Sequence, residues 1–283
     1  MTIPRTALVL GGGGITGIAW EIGLLAGLAD CGLDLSQAET VVGTSAGSVV
    51  GTQVAGGDDF EKMYANQLRD PTGEIAAKLG LGIGLQFATY LLLPGGSRAK
   101  RRRMGRAALR SKTVDESVRV QVIRERLGER EWPERRLLIT AVDASTGAFK
   151  VFDKDSGADL VRAVAASCAV PLVWPPVTVD GHTYIDGGVR SPANADLAKG
   201  AVHVVVLAPL TRTLDKAGRA ESQLARLGPG VQSVVISPDA AALRAIGKNV
   251  LDPARRAASA RAGRDQAQNV LGDIQETWPT PTP

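Results

Sequence analysis

Two glycine-rich turns near the start of the chain, each directly after a short apolar run, constrain the fold most strongly. The first turn, GGGG at residues 11–14, follows the run at residues 7–10, and the second, GTSAG at residues 43–47, follows residues 40–42. A short continuous apolar run is typical of a strand that is buried on both faces of a sheet. Apolar residues at helical spacing lie between the two turns, over residues 18–28. The pattern therefore predicts two parallel strands joined by a right-handed helical crossover.

The rest of the chain continues this alternation of strands and helices. Apolar and alternating runs predict two hairpins, over residues 137–152 and 177–185, and then two buried strands, over residues 202–207 and 231–236. A basic, alanine-rich helix is predicted from about residue 252 to residue 274. A length of 283 residues with 44% hydrophobic residues is ample for one large domain. The sequence therefore predicts an α/β fold in which a mainly parallel sheet is flanked by helices.

Residues 58–115 interrupt this pattern and are predicted to form an insertion. Leucine or isoleucine alternates with glycine over residues 79–85, and this glycine content disfavours a rigid core helix. The apolar stretch also contains polar residues and is short for a bilayer crossing, which takes about 20 mostly apolar residues. We expect a cap or lid over the functional site. An ordinary helical insertion packed on the core and a membrane span are the alternatives.

Positive charge is concentrated in one part of this insertion. The net charge of the chain is +4, and eight basic residues fall within a stretch that contains no acidic residue. These are Arg98, Lys100, Arg101, Arg102, Arg103, Arg106, Arg110 and Lys112. Such a block predicts peripheral contact with an anionic membrane, with a solvated helix face as the alternative. A nucleic acid partner is not expected, because no aromatic residue is interleaved with the charges.

The first residues of the chain lead straight into the predicted strand. They lack the basic stretch and the long apolar run of a secretory signal. We therefore expect a cytoplasmic location, with peripheral contact to the inner face of the membrane. The two cysteines, Cys31 and Cys168, lie among small or apolar residues and are predicted to be buried thiols, not a disulfide.

The second glycine-rich turn places a serine, Ser45, between small residues. On a tight strand-to-helix turn, small neighbours let a serine hold its hydroxyl clear of the backbone. The first glycine-rich turn precedes a predicted helix, so its backbone N–H groups are well placed to bind a developing oxyanion. The two turns together predict an acyl-transfer enzyme in which Ser45 is the nucleophile.

A serine hydroxyl becomes an effective nucleophile when a base accepts its proton. The chain has only two histidines: His203 lies in a run of valines that predicts a buried strand, and His182 lies beside a predicted turn. Asp186 is the better candidate, because it ends a predicted strand just before Gly187 and Gly188, where open α/β sheets place functional groups. Its unperturbed pKa of about 3.9 makes it a weak base unless it is desolvated against Ser45.

Two other arrangements deserve comparison. The chain order of Ser45, Asp186 and His203 fits an α/β-hydrolase triad, but that fold builds several strands before its nucleophile, and here the serine comes too early. Gly12, Gly14 and Gly17 also spell the dinucleotide-binding pattern G-x-G-x-x-G after a strand. That pattern requires an acidic residue at the end of the second strand, where this chain has the serine turn. A dinucleotide-binding protein is therefore the weaker alternative.

Three motifs in this order resemble the patatin-like phospholipase family of serine acyl hydrolases. Residues 12–17 resemble its glycine-rich oxyanion loop, residues 43–47 match its nucleophile elbow, and residues 186–188 match its Asp-Gly-Gly motif. The resemblance implies a three-layer α/β/α domain over residues 5–210, with the insertion inside it. Residues 211–283 would complete the domain with a strand, a helix and a proline-rich tail.

The resemblance implies a Ser45–Asp186 catalytic dyad that cleaves carboxylic esters of lipids through an acyl-enzyme. The oxyanion would be bound by the N–H groups of Gly12, Gly13 and Gly14. The supporting glycines of the motifs would be Gly17, Gly43, Gly47, Gly187 and Gly188. The substrate would be a lipid or another acyl ester, and neither a metal nor a cofactor is implied. A membrane-surface module of the same fold without catalytic activity is the alternative.

One position departs from the family pattern. Many members have arginine or lysine where this chain has Thr16, and in some of them that cation is thought to contact the lipid phosphate. Phospholipids, neutral lipids, thioesters and other acyl esters are therefore all open as substrates. Arg190 or the basic block at residues 98–112 would be the replacement for that cation.

Overall fold

A mixed sheet of eight strands lies at the centre of the protein. The structure is a computed structural model, and it describes residues 6–70, 89, 93–210 and 216–279. The strands are β1 (Thr6–Leu10), β2 (Thr40–Gly43), β3 (Arg136–Asp143), β4 (Phe149–Phe152), β5 (Val177–Val179), β6 (His182–Asp186), β7 (His203–Leu207) and β8 (Gln232–Ile236). The α-helices among these residues are α1 (Gly14–Asp30), α2 (Ala46–Ala55), α3 (Phe60–Leu68), α4 (Ser97–Arg110), α5 (Glu116–Leu127), α6 (Leu160–Ser167), α7 (Ala220–Leu224), α8 (Ala240–Ile246) and α9 (Arg256–Thr277).

The strand order is β5-β6-β3-β2-β1-β7-β8, and β4 pairs with β3. Strands β1, β2, β3, β7 and β8 are parallel, and β4, β5 and β6 add antiparallel pairs next to β3. The parallel strands bring their carboxyl ends to one edge of the sheet, where open α/β sheets bind ligands. Both glycine-rich turns lie at this edge, because they follow β1 and β2. The predicted mainly parallel α/β fold is confirmed.

The central strand β1 is buried on both faces, as its sequence predicts. Leu8 and Leu10 belong to a large apolar cluster with residues of α1, α2 and α9. Ala7 and Val9 point to the other face, where they pack in a smaller cluster with residues of β7 and α7. Helices thus cover both faces of the sheet. A strand between two covered faces needs apolar side chains on both of them, which explains the continuous apolar run at residues 7–10.

Helix α9 packs along α1 at a very short distance. A Cβ atom at Gly23 would overlap the backbone of Ala260, and one at Gly263 would overlap the backbone of Trp20. A Cβ atom at Gly27 would lie 2.6 Å from Arg264 O. Glycine is therefore required at this helix crossing, and it holds the C-terminal helix against the helix that begins at the first glycine-rich turn.

Both hairpins form as predicted, and the second turns through Asp180 and Gly181, which have φ angles of 48° and 75°. Cys168 is buried, as predicted, but the prediction for Cys31 is wrong. Cys31 caps the C-terminus of α1 and is exposed there, because the chain turns toward solvent after that helix.

The predicted insertion contains α3 and α4 in its described part. Residues 71–88 and 90–92, which include the glycine-rich apolar stretch, lie outside the described residues, so the cap remains a prediction. The same holds for residues 280–283 of the proline-rich tail. Among the described helices, none combines the length and the apolar character that a bilayer crossing requires.

Candidate active site

Ser45 occupies a strained turn between β2 and α2. Its backbone has φ 53° and ψ −116°, a region that residues other than glycine rarely adopt. The turn is fixed from both sides: Thr44 N–H donates to Leu10 O at 3.0 Å, and Ser45 N–H donates to Ser167 Oγ at 2.9 Å. Strain of this kind persists where the surroundings over-determine it, and it is typical of nucleophile elbows.

The two glycines of the serine turn are required by close packing. A Cβ atom at Gly47 would overlap Leu10 O, and one at Gly43 would lie 2.5 Å from Ser48 Cα. In addition, Gly47 N–H donates to Gly11 O at 2.9 Å, which joins the serine turn to the first glycine-rich turn. The spacing of the motif is therefore a steric consequence of how β1, β2 and α2 meet.

The first glycine-rich turn lies against Ser45. A Cβ atom at Gly12 would be 3.5 Å from Ser45 Cβ. The N–H group of Gly12 donates to Pro192 O at 2.8 Å, so it is already engaged, in contrast to its expected role in oxyanion binding. Within the described part of the chain, no acceptor is found for the N–H groups of Gly13 and Gly14 at the start of α1. These two groups are therefore available to bind an anion.

Thr16 is fully buried under the segment that follows α8. Its N–H group and its Oγ1 both donate to Val250 O, at 3.1 Å and 3.2 Å. Gly14, with φ 61°, also packs against this segment, because a Cβ atom there would lie 2.6 Å from Val250 O. Thr16 therefore stabilises the glycine-rich turn from behind, and its side chain is not available to a substrate phosphate.

Asp186 ends β6 next to the serine turn. The register of β3 explains this: Gly43 of β2 pairs with Ile139, and Asp186 pairs with Ala141, only two residues further along β3. Asp186 Oδ1 accepts a hydrogen bond from Gly188 N–H at 2.7 Å. Its other oxygen, Oδ2, is buried without a partner of full hydrogen-bond geometry among the described residues. The two candidate residues are thus brought together from positions far apart in the sequence.

Burial raises the pKa of Asp186 from its ordinary value to about 6. Three contacts act in the opposite direction: the Ser45 side chain as a hydrogen-bond donor, the Gly188 N–H group, and the charge of Arg119. The Ser45 contact is looser than a full hydrogen bond, which is common in hydrolase sites without substrate. The carboxylate is therefore a stronger base than an exposed aspartate, and it is still mostly ionised at neutral pH.

Neither histidine lies in this site. His203 is at the amino end of β7, at the opposite edge of the sheet, and its Nδ1 is 2.7 Å from Thr277 O. His182 is exposed, with 67% of its side chain accessible, and its Nδ1 lies 3.7 Å from Asp143 Oδ2. The histidines thus lie where the sequence predicts, except that His203 is only partly buried.

A buried polar network behind the site was not predicted from the sequence. Asn194 has φ 53°, and its Nδ2 donates to Thr44 Oγ1 at 3.0 Å and to Ser191 O at 2.9 Å. Thr44 Oγ1 in turn lies 2.9 Å from Thr140 Oγ1 on β3. A Cβ atom at Gly187 would overlap Thr140 Oγ1, so this network also touches the Asp-Gly-Gly turn. It links the segments that hold Ser45 and Asp186.

Arg119, close to Asp186, was also not predicted from the sequence as part of the site. Its guanidinium carbon lies 4.2 Å from the centre of the Trp174 ring, and the side chain is buried. A signal was present, because Arg119 is spaced at i, i+4 and i+8 with Ile123 and Leu127 on the buried face of α5. A charged side chain on an otherwise apolar helix face suggests a specific partner. The Arg119 charge acts on Asp186, whose pKa it lowers.

Arg190, a predicted replacement for the missing family cation, is engaged within the protein. Its guanidinium donates two hydrogen bonds to Asp196, at 2.9 Å and 2.5 Å, and one to Asn194 Oδ1 at 2.7 Å. It also stacks on Phe149 at 4.1 Å from the ring centre. These contacts fix the chain just after the Asp-Gly-Gly turn.

Comparison with known proteins identifies the family of this chain. A family model described as patatin-like phospholipase matches residues 8–199. The protein is 30% identical over 230 residues to patatin-like phospholipase domain-containing protein 7 of Mus musculus, a match that covers 81% of this chain and 15% of that protein. The protein of the same name from Rattus norvegicus is 30% identical over 233 residues, with the same coverage. The chain thus spans about 15% of the length of these relatives.

Two solved structures are similar over most of this chain. VipD from Legionella pneumophila has a TM-score of 0.49 and 15% identity, and the match covers 96% of this chain and 67% of that one. The type III effector protein ExoU has a TM-score of 0.43 and 19% identity, with coverage of 96% and 53%.

The family match spans both glycine-rich turns and the Asp-Gly-Gly turn, the three motifs on which the resemblance depends. It also covers more than half of the chain, and the two mammalian relatives agree with it. The chain therefore belongs to the patatin-like phospholipase family of lipid hydrolases.

Proposed function

We propose that this protein is a serine-dependent acyl hydrolase that cleaves carboxylic ester bonds of phospholipids or other acyl lipids. One observation supports this most strongly: a serine in a strained elbow faces a buried carboxylate, and one oxygen of that carboxylate has no full hydrogen bond among the described residues. A buried carboxylate oxygen without a full hydrogen bond is costly, so proteins retain it where it has a function. The function that fits here is to accept the proton of Ser45.

The reaction follows from the positions of these groups. Ser45 Oγ attacks the ester carbonyl carbon while Asp186 Oδ2 accepts its proton, and the carbonyl oxygen becomes an oxyanion. The N–H groups of Gly13 and Gly14, at the positive end of the α1 dipole, stabilise that oxyanion. The C–O bond then breaks, and the leaving alcohol takes the proton from Asp186. Water attacks the acyl-enzyme with the same aspartate as base, which frees the fatty acid and restores Ser45.

The electrostatics of the site suit this role for Asp186. Burial makes the carboxylate more basic, and the nearby Arg119 charge limits that effect, so that the group stays ionised at neutral pH. A general base works best when its pKa lies near the operating pH. Asp186, with a pKa of about 6, meets this requirement without a histidine.

A fluorophosphonate probe tests the proposal directly, because it reacts with activated serines. The parent chain should be labelled and should hydrolyse acyl esters, and the Ser45→Ala variant should lose both properties. Ser117→Ala, an exposed serine on α5, is the matched control and should keep both. A folded parent chain that is not labelled would favour a module without catalytic activity. Labelling that persists in Ser45→Ala would show that another residue is the nucleophile.

A further inference from the structure

Helix α4 presents a row of exposed arginines, one at each turn. They are Arg98, Arg102, Arg106 and Arg110, which we call the α4 arginine row. The spacing of four residues places all four on one side of the helix. The helix contains no acidic residue, and its other side, with Met104 and Ala108, is buried.

The charge of the α4 arginine row is not neutralised within the described residues. No salt bridge there joins any of its four members to a carboxylate. Instead, the Nε groups of Arg98 and of the neighbouring Arg101 donate to the carbonyls of Thr146 and Gly147, at 3.3 Å and 2.9 Å. Burial, with the charges of Arg190 and Arg98, lowers the pKa of Arg101. Like charges gathered in this way repel one another, and an anionic surface would neutralise them.

Exposed apolar side chains lie in the same stretch of chain. Of the large apolar residues that are exposed, Leu93, Leu109, Val114 and Val118 all fall within residues 93–118. Arginines next to exposed leucine and valine suit the interface of a bilayer, where charges meet headgroups and apolar side chains enter the acyl boundary. No aromatic residue occurs in residues 93–118, so the stacking that favours single-stranded nucleic acid is absent from this surface.

The row lies on the side of the molecule where the candidate active site is. Helix α4 packs on the turn after β3, where a Cβ atom at Gly105 would overlap Ala144. Because β3 is parallel to β2, this turn and Ser45 lie at the same edge of the sheet. A flat surface that contacts the row would therefore be next to the site.

We propose that the α4 arginine row docks this protein on an anionic lipid bilayer, with the carboxyl edge of the sheet toward the membrane. This deepens the proposed function, because it supplies the surface at which a lipid substrate would be met. Docking does not require a reactive Ser45, so the two proposals can fail independently.

Vesicle binding tests the docking surface without hydrolysis if all chains carry Ser45→Ala. The chain should sediment with phosphatidylcholine vesicles that contain phosphatidylglycerol, and not with phosphatidylcholine alone. Added salt should weaken binding, because it screens exposed charges. Equal binding to both kinds of vesicle would overturn the proposal. So would tighter binding to a DNA duplex than to the anionic vesicles.

A charge-matched pair of variants locates the surface. Replacing the four arginines of the row by glutamine should weaken binding to anionic vesicles by about 1000-fold, given the usual contribution of each basic residue. The control removes four exposed positive charges that lie toward the amino edge of the sheet, away from the candidate active site: Lys62, Arg136, Lys199 and Arg226, each replaced by glutamine. The control should bind nearly as well as the parent. If both variants lose affinity equally, the contact is non-specific and the proposal is wrong.

An environment-sensitive fluorophore tests the orientation. It can be attached at Leu109→Cys on α4 or at Val202→Cys, just before β7 at the amino edge of the sheet, two exposed apolar residues with 47% and 39% accessibility. Both chains carry Cys31→Ser, because Cys31 is an exposed thiol. Anionic vesicles should shift the emission to the blue at residue 109 and leave it unchanged at residue 202. A shift at residue 202 alone would show that a different face meets the membrane.

Discussion

At the scale of the residue, the chemistry depends on the desolvation of one carboxylate. Asp186 is 5% exposed, and burial alone raises its pKa, while the Ser45 hydroxyl, the Gly188 N–H group and the Arg119 charge lower it. The balance leaves the pKa at about 6. Only the ionised carboxylate can accept the proton of Ser45, so activity should follow the ionisation of this group.

We therefore predict an acid limb in the pH dependence of kcat/KM. Activity should fall about tenfold per pH unit below an apparent pKa of about 6, and should be level above it. A histidine would titrate in the same range, so the limb must also be measured in a chain with His182→Asn and His203→Gln. We expect the limb to be unchanged in that chain. Its loss there would assign the base to a histidine.

Arg119 offers a second check on the same limb. Because its positive charge lowers the pKa of Asp186, Arg119→Met should move the limb to higher pH. Arg124→Met, at a partly exposed position of the same helix, is the control and should leave the limb in place. A merely structural Arg119 would alter the thermal unfolding midpoint without moving the limb.

Individual residues differ in how far the sequence reveals their surroundings. Ser45 and Asp186 are predictable, because local motifs surround them. Gly12 and Thr16 are not: their hydrogen bonds go to Pro192 and Val250, which are remote in the sequence. Arg119 is also hidden, since no local motif connects α5 with the end of β6. The roles of these three residues depend on contacts with segments that are remote in the sequence, so local motifs do not reveal them.

At the scale of the element, glycines decide how closely helices and turns approach one another. At the serine turn, Gly47 lets α2 begin directly against the end of β1. At the α1–α9 crossing, Gly23, Gly27 and Gly263 let two helix backbones meet. The sequence predicts both helices from their apolar spacing, but it does not reveal that they pack on each other.

A matched pair of substitutions tests the helix crossing. Gly23→Ala should lower the free energy of unfolding by about 1–3 kcal/mol or more, because the added methyl group meets the Ala260 backbone. Gly272→Ala, at an exposed position of α9 with open space around it, should raise it by about 0.5–1 kcal/mol. Chemical denaturation measures both values. If Gly23→Ala is also stabilising, the crossing is looser than the structure has it.

At the scale of the whole molecule, the part of the chain beyond the family match belongs to the same core. Strand β7 pairs with β8 and with β1, the strand that ends at the glycine-rich turn, and α9 covers α1, the helix that begins there. The segment around Val250 also covers that turn. The candidate site is thus supported by chain that lies beyond residue 199.

A truncation tests this dependence. A chain that ends at residue 200 keeps Ser45 and Asp186 but loses β7, β8 and α9, which leaves one side of β1 unpaired. We expect it to aggregate or to lack a cooperative unfolding transition, as followed by circular dichroism. A shortened chain that folds cooperatively and still reacts with a fluorophosphonate would contradict the single core.

The sequence by itself determined the α/β pattern, the strained serine turn, the candidate base and the family, because each depends on residues close together in the chain. Hydrophobic period and glycine spacing are local properties, and so they can be recognised in one dimension. Only the tertiary structure decided which N–H groups are left for an oxyanion, how strongly Asp186 is desolvated, and that the α4 arginine row lies beside the site. These properties arise from burial and from contacts between remote segments, and local sequence does not encode them.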